Sequence, residues 1–374
     1  MKKPVWHNLV MIAVLLVAVF ALNALSPSLP LASRAIVVGI ALDKEGDMIQ
    51  LSAQIIQSGS SGESSKPGNS TYAILKGEGE SLSTAIYDIS SSSGYYVSLA
   101  HCSAVILGDS MRGEDCFMPL SYLVKNTKLA DDTVVVFAEG KGSELIKSEV
   151  GLSFLSAFGL KKLESSNSDY SRAVICTVRD FMVDDKTLTG TKVVPLCRLG
   201  EPIEEPEGAE QATGKKTEFK LDEAVVLGKA GQLVLNEWYS QCYNLVQKNF
   251  KLGNVTLKDG EDVTDLVYSA KSASVNLEGA DDGYVVKVNV EMTFIAFSEG
   301  RQVGADRDID EAAVKTLEQR YATGITELFE LTRQKGLDIF GACGRLNAMT
   351  GIEPQPDEFL RSLQITTEVK INII

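Results

Sequence analysis

The sequence has very little of the side-chain chemistry that most metalloenzymes use. Its 374 residues include only two histidines, His7 and His101, which lie far apart. The six cysteines are also widely spread, and no CxxC pair occurs among them. Zinc sites need cysteines and histidines at short, fixed spacings. The sequence therefore predicts no metal site, and no other feature indicates a cofactor.

Nucleophilic and phosphate-binding patterns are absent as well. His101 is the only histidine outside the N-terminal apolar segment, and we interpret it as a structural or surface residue. The adjacent Cys102 is a poor partner for it, because neighbouring strand residues point to opposite faces. Gly77-Glu78-Gly79 lacks the GxGxxG spacing, so we interpret it as a turn. We predict no catalytic residue and no enzymatic activity.

The charge balance excludes a further class of function. The formal net charge is −14, and the Lys and Arg residues form no cluster that could make a basic face. A nucleic-acid-binding protein needs such a face, so we predict no nucleic-acid partner. The most acidic stretch, 201–210, lacks the ligand spacing of a calcium loop. We interpret it as part of a solvated acidic linker.

The longest apolar run lies near the N-terminus, between Leu9 and Leu25, after the basic residues Lys2 and Lys3. A helix begun at Pro4 reaches the ~30 Å needed to cross a hydrocarbon core. We favour a retained membrane helix over a cleaved signal peptide, because no good small-x-small cleavage site precedes Pro27. A buried helix of a soluble domain is the third alternative. Basic residues at the extreme N-terminus place residues 34–374 outside the cytoplasm.

An extracytoplasmic location would permit disulfides, and the even number of cysteines would allow complete pairing. However, Cys102, Cys176 and Cys197 lie within apolar runs, where a free cysteine behaves as a small buried hydrophobe. We favour buried free thiols over disulfide bridges. The sequence does not indicate which cysteines would pair if bridges formed.

Alternating and helical apolar patterns predict a mixed fold. The first half contains a strand hairpin over 34–56, a helix capped by Ser81 and a buried strand at 133–138. It also contains helices over 112–125 and 144–162. The second half contains a hairpin at 220–235, a helix at 238–248 and three further strands. A long helix over 308–335 and an alternating strand over 363–374 follow.

These elements predict the α+β class. We expect a mixed α/β multi-domain exodomain with mostly antiparallel sheets and a long C-terminal helix. An N-terminal membrane helix precedes this exodomain. We expect an anchor or signal segment at 1–33, an N-terminal domain at 34–200, an acidic linker at 201–218 and a C-terminal domain at 219–374. One alternative is that the N-terminal domain consists of two subdomains, 34–165 and 166–200.

Three segments together resemble the Ger(x)C family, the C subunit of nutrient germinant receptors in endospore-forming bacteria. They are Arg34–Gly46 after the apolar segment, Leu99–Asp109 followed by Thr133–Gly140, and Gln334–Gly341 after the long helix. The resemblance rests on the order and spacing of these segments and extends over 34–374. It implies that the predicted domains 34–200 and 219–374 are both Ger(x)C-like. Family members usually carry a lipobox cysteine, whereas 25–34 contains none.

The resemblance implies a non-enzymatic subunit of a membrane receptor complex that acts in spore germination through protein–protein interactions. Its implied partners are the integral-membrane A and B subunits of the receptor, with the membrane reached through the N-terminal helix. The implied location is the spore inner membrane, with a single pass. Two rival functions stay open: a membrane-anchored hydrolase acting on the cell wall, and a solute-binding protein.

Overall fold

The structure is a computed structural model. It describes residues 11–18, 33–56, 72–113, 116–150, 155–170, 173–202, 216–247, 252–259, 262–281, 283–298, 301–302 and 311–373.

Strands and helices alternate through the first half, and long strands dominate the second. The strands are β1 (Arg34–Glu45), β2 (Met48–Ile56), β3 (Tyr72–Gly79), β4 (Tyr96–Ser98), β5 (Ala104–Leu107), β6 (Val134–Ala138), β7 (Glu149–Val150), β8 (Lys192–Pro202), β9 (Lys216–Gly228), β10 (Gly231–Leu235), β11 (Gly253–Asp259), β12 (Asp262–Ala280), β13 (Gly283–Ser298), β14 (Arg301–Gln302) and β15 (Gln364–Ile373). The helices are α1 (Leu82–Ser93), α2 (Phe117–Asn126), α3 (Gly142–Leu145), α4 (Ser156–Tyr170), α5 (Val178–Asp185), α6 (Glu237–Gln247), α7 (Glu311–Gln334), α8 (Ala342–Thr350) and α9 (Pro356–Ser362).

The first sheet has ten strands in the order β10-β9-β8-β6-β5-β1-β2-β3, with β4 beside β1 and β7 beside β9. Its central strands β1, β5, β6 and β8 are parallel neighbours, and antiparallel pairs extend it on both sides. The central strands are apolar on both faces, as expected for a sheet covered on both sides. Helices α1, α2 and α5 cover one face, and α3 and α4 cover the other.

The second sheet runs β11-β12-β13-β14, with β15 parallel beside β13. Alternate residues of β13 are buried, namely Val286, Val288, Val290, Met292 and Phe294. Alternation of this kind is typical of a sheet that is covered on one face only. Helices α6 and α7 lie in the same apolar cluster as these residues and provide the cover.

The two halves of the chain share structure. β9 and β10 lie after the predicted linker, yet β9 pairs with β8 and completes one side of the first sheet. The cluster under the second sheet also contains Val193 and Val226 from β8 and β9. The boundary at 201–218 stays a prediction, and most of that segment lies outside the described residues.

The α+β class with mostly antiparallel sheets and a long helix at 311–334 is confirmed. The hairpin 34–56 and the cap of α1 by Ser81 are confirmed too. Ser81 accepts a hydrogen bond from the Thr84 N–H, and the Thr84 hydroxyl accepts one from the Ser81 N–H.

Three local predictions were wrong. The helix predicted over 144–162 is divided into α3 and α4 with β7 between them, because β7 pairs with the distant strand β9. The helix predicted from Arg112 starts at Phe117, since Gly113 has a left-handed φ of 98° that ends any helical run there. Gly77-Glu78-Gly79 is the end of β3 and not a turn.

Residues 11–18 form the described part of the predicted membrane helix. Their apolar side chains are exposed, for example Met11 at 68% and Val17 at 69%. Within the described residues no helix is both long and apolar enough to cross a membrane.

Candidate functional site

His101 lies in an exposed turn before β5, which agrees with its interpretation as a surface residue. Its neighbour Cys102 is buried, and burial raises the pKa of the Cys102 thiol to about 12. A thiol with so high a pKa supplies almost no thiolate, the reactive form of cysteine. The pair therefore offers no nucleophile next to a base.

All six cysteines are buried and unbridged, as favoured from the sequence. Burial raises the pKa of Cys242 to about 12, and it raises the pKa of Cys176, Cys197 and Cys343 as well. Buried thiols of this kind are inert and pack as small apolar residues. In the part of the chain that the structure describes, no group of histidine, cysteine and acidic residues could hold a metal ion.

Asp43, from the first of the resembling segments, is the most buried carboxylate among the motif residues, with 4% exposure. Its two oxygens accept hydrogen bonds from the N–H groups of Gly142 at 2.8 Å and Ser143 at 2.9 Å. Those donors belong to the first turn of α3, where N–H groups have no partner within the helix. Asp43 thus fixes α3 to the carboxyl end of β1.

Gly108 allows this arrangement, because a Cβ at that position would lie 1.9 Å from an Asp43 oxygen. The next residue, Asp109, joins the two parts of the second segment. Its N–H donates to the Gly140 carbonyl at 2.8 Å, and its carboxylate accepts from the Gly140 N–H at 3.2 Å. The segments Leu99–Asp109 and Thr133–Gly140 are therefore held together at one edge of the sheet.

Asp338 has the same role in the second half. Its carboxylate accepts from the N–H groups of Ala342 and Cys343, both at 2.8 Å, and so caps α8. Its own N–H donates to the Thr191 hydroxyl at 3.0 Å, which connects α8 to the residue before β8. Phe340 stacks on Phe329 of α7, with ring centroids 5.9 Å apart.

Three aspartates of the resembling segments, Asp43, Asp109 and Asp338, thus accept hydrogen bonds from backbone N–H groups within the fold. Sequence reasoning identified these segments but did not identify this role. The missing signal is long-range, since Asp43 and Gly142 are 99 positions apart.

A second buried charge lies under α2 and α5. Lys192 is 5% exposed, and its ammonium lies 4.3 Å from the ring centroid of Phe181 and 5.7 Å from that of Phe117. Nearby, burial raises the pKa of Asp184 to about 6, the carboxylate of Asp180 raises it further, and Lys192 opposes the shift. Asp184 is therefore the group of this cluster whose pKa is raised, to about 6.

We expect Asp184→Asn to stabilise the protein at neutral pH and to have no effect near pH 4. The pKa of Asp184 is raised in the folded protein, so its contribution to stability is complete below the ordinary value of 3.8 and is lost as the pH rises through about 6. Because the carboxyl is partly exposed, the expected gain is about 1 kcal/mol. Urea unfolding of both proteins across this range measures it. Asp47→Asn, in an exposed turn, is the control and should track the parent at every pH.

The concave feature with the richest side-chain chemistry is a groove of about 330 Å³ between α6 and α7. It is lined by Trp238, Thr316, Gln319, Arg320, Thr323, Gly324 and Glu327. The Arg320 guanidinium lies over the Trp238 ring at 4.7 Å from its centroid, and the Tyr239 hydroxyl donates to Glu327 at 3.2 Å. We call this surface the α6–α7 groove.

Gly324 sets the depth of the α6–α7 groove. A Cβ at this position would lie 2.7 Å from Nε1 of Trp238 and 2.9 Å from the sulfur of Cys242. Only glycine therefore allows the indole to lie flat against α7. An exposed arginine stacked on a half-buried tryptophan combines the two side chains that contribute most to protein–protein contacts.

A second cavity, of about 460 Å³, lies where the two halves of the chain meet. It is lined by Leu188 and Thr189 before β8, by the β9–β10 turn, and by the start of α9. Lys229 in that turn donates to the Leu188 carbonyl at 3.1 Å. The lining also includes the carboxylates of Asp357 and Glu358.

The fold and these sites define a two-sheet α+β protein in which Asp43, Asp109 and Asp338 bind backbone N–H groups and an arginine and a tryptophan line the α6–α7 groove. Comparison with known proteins agrees with this class. Residues 28–199 match the family model described as the spore germination protein N-terminal domain, and residues 222–374 match the one described as spore germination B3/GerAC like, C-terminal.

The chain also resembles a solved structure described as the crystal structure of the GerBC protein, with a TM-score of 0.50 and 13% sequence identity. That match covers 90% of this chain and 97% of the other, and at this identity it shows the fold alone. No curated protein matches the chain. The chain belongs to the Ger(x)C family, the C subunits of spore germinant receptors.

Proposed function

We propose that this protein is a non-enzymatic, membrane-tethered subunit of a nutrient germinant receptor, which acts by binding two integral-membrane partner subunits. The tandem match of both family domains, in order and over 28–199 and 222–374, is the observation that carries the proposal. The use of Asp43 and Asp338 as backbone caps supports it, because these motif acids are not available for catalysis.

The membrane tether is proposed from the exposed apolar residues of 11–18. The transfer of one large aliphatic side chain from water to an apolar environment is favourable by about 1.5–3 kcal/mol of free energy. Six such side chains are more than half exposed here, namely Met11, Ile12, Val14, Leu15, Leu16 and Val17. A hydrocarbon environment is the one that stabilises them. The tether replaces the missing lipobox cysteine, crosses the spore inner membrane once and leaves 34–374 outside the cytoplasm.

The α6–α7 groove is the surface that we assign to a partner subunit. Arg320 supplies a charge and Trp238 an aromatic face within a rim of threonine and glutamine side chains. Interface hot spots, whose truncation costs at least about 2 kcal/mol of binding free energy, are enriched in arginine and tryptophan. The occupant is then an extracytoplasmic loop of an integral-membrane subunit that presents a carboxylate or an apolar side chain to this pair.

Affinity purification of the tagged full-length chain from spore membranes tests both parts. We expect two multi-spanning membrane proteins to copurify in comparable amounts. Arg320→Glu should reduce their recovery at least about tenfold. Lys315→Glu makes the same charge change on an exposed position of α7 outside the groove, and it should leave recovery unchanged.

The outcomes separate the two claims. Recovery of the chain without membrane partners contradicts the receptor function. Equal recovery with Arg320→Glu and Lys315→Glu supports the receptor function and removes the groove as its contact surface.

A further inference from the structure

The end of the first sheet where β1 begins collects exposed aromatic side chains. β1 starts at Arg34, immediately after the N-terminal segment, and β4 lies parallel beside it with Tyr96 opposite Arg34. β2 is antiparallel to β1, so its last residue, Ile56, lies at the same end. We call the surface made by Arg34, Ile56, Tyr95, Tyr96 and the neighbouring His101 the tether edge.

His101 belongs to the tether edge because it precedes β5, which is parallel to β1. The Ser103 N–H donates to the Val38 carbonyl at 2.8 Å, and β4 pairs with residues 34–36, so the turn that holds His101 lies beside the first third of β1, a few residues from Arg34. His101 itself is exposed.

The side chains of the tether edge are large and open to solvent. Tyr96 is 62% exposed, Tyr95 49% and Ile56 39%. Tyrosine combines an apolar ring with a polar hydroxyl, and it is enriched where hydrocarbon meets water in membrane proteins. Two adjacent exposed tyrosines at the point where the chain joins its apolar segment fit that environment.

The charges at this end are compatible with anionic lipid. The loop between α2 and β6 holds two aspartates, and both are paired: Asp131 with Arg179 at 3.6 Å, and Asp132 with Lys161 at 3.8 Å. Arg34 adds a positive charge at the start of β1. A basic side chain close to an anionic bilayer contributes about 1 kcal/mol.

The opposite end of the same strands differs. There Glu45, Asp47 and Glu139 are exposed, together with Lys141. Charges of both signs mix at that end, so the exposed tyrosines, and not the charge balance, distinguish the tether edge.

Because the N-terminal apolar segment holds the tether edge near the membrane, a weak affinity of this surface for lipid is enough to keep it there. Arg34 lies nine positions after Leu25, and an extended chain covers about 3.5 Å per residue. The tether edge therefore stays within roughly 30 Å of the apolar segment, which corresponds to a local concentration in the millimolar range.

We propose that the tether edge rests on the bilayer surface, with Tyr95 and Tyr96 at the level of the lipid headgroups. This inference depends on the membrane tether proposed above and adds an orientation to it. The opposite end of the first sheet then points away from the lipid.

The test uses the full-length chain in vesicles of phosphatidylcholine and phosphatidylglycerol. His101→Cys places a single reactive thiol on the tether edge without changing either tyrosine, since all six native cysteines are buried. An environment-sensitive fluorophore on that thiol is quenched by lipids that carry a nitroxide near the headgroup. Ile352→Cys, at a position 65% exposed in the second half of the chain, is the matched control.

We expect the label at position 101 to be quenched at least about threefold more than the label at position 352, since the headgroup region holds the tyrosines beside it. Adding Tyr95→Ser and Tyr96→Ser should reduce the quenching at 101 toward the control. Equal quenching at both positions, in protein that sediments with the vesicles, overturns the orientation and leaves the tether intact. Protein that stays in the supernatant after alkaline carbonate treatment overturns the tether itself, and the orientation with it.

Discussion

Replacing Asp43 by alanine is expected to lower the free energy of unfolding by about 3 kcal/mol. The change removes an acceptor from two N–H groups at the start of α3, at 2.8 Å and 2.9 Å. Hydrogen bonds to a charged group contribute about 1.5–3 kcal/mol each, and buried donors left unpaired carry a further desolvation cost. Urea unfolding monitored by circular dichroism measures the effect.

Asp47→Ala is the matched control, because Asp47 is an exposed aspartate four positions along the same hairpin. Its effect should stay within about 0.5 kcal/mol. Asp43→Asn keeps the volume of the side chain but turns one acceptor into a donor, so it should also destabilise the protein clearly. If Asp43→Ala unfolds at the same urea concentration as Asp47→Ala, the carboxylate does not hold α3.

Gly77→Ala is expected to destabilise the protein by about 2–3 kcal/mol through overpacking. A Cβ at position 77 would lie 2.2 Å from the Ala85 carbonyl oxygen and 2.7 Å from a side-chain carbon of Ile89. Both belong to α1, and a backbone carbonyl cannot move away unless the whole helix shifts from the sheet. Thermal and urea unfolding report the loss.

Gly279→Ala provides the comparison, since Gly279 also lies in a strand and a Cβ there would meet nothing within 4 Å. That variant should be neutral or slightly stabilising, because alanine restricts the unfolded chain more than glycine does. Equal stabilities for Gly77→Ala and Gly279→Ala would contradict the close approach of α1 to β3.

The same close approach explains why the Gly77–Gly79 segment was misinterpreted. Two glycines in three residues indicate a turn when only local conformation is considered. Here they are strand residues whose missing side chains make room for α1, and nothing local to the sequence identifies a helix packed above them. Hairpins behaved differently: the β1–β2 and β9–β10 pairs were predictable because each turn and both of its strands are contiguous.

The segment 144–162, which follows Gly142 and Ser143, shows the opposite error: a helix was predicted where the structure has a strand between two helices. Apolar spacing over 144–162 favours one helix, but the pairing of β7 with β9 joins Glu149 to Lys216 and interrupts it. A pairing partner 67 positions away outweighs local propensity and leaves no local signal. The acids of the site follow the same rule. Asp43 and Asp338 could be recognised as members of patterns, but the N–H groups they bind become visible only in three dimensions.

The parallel pairing of β15 with β13 has a consequence for how the protein is made. Val285 faces Gln364 in that ladder, so one side of β13 lacks its β15 partner until residues 364–373 have been synthesised. An apolar strand with a free edge is prone to join other chains during that interval. The second sheet therefore completes its β13–β15 pairing late in synthesis, and the free side of β13 is exposed to other chains until then.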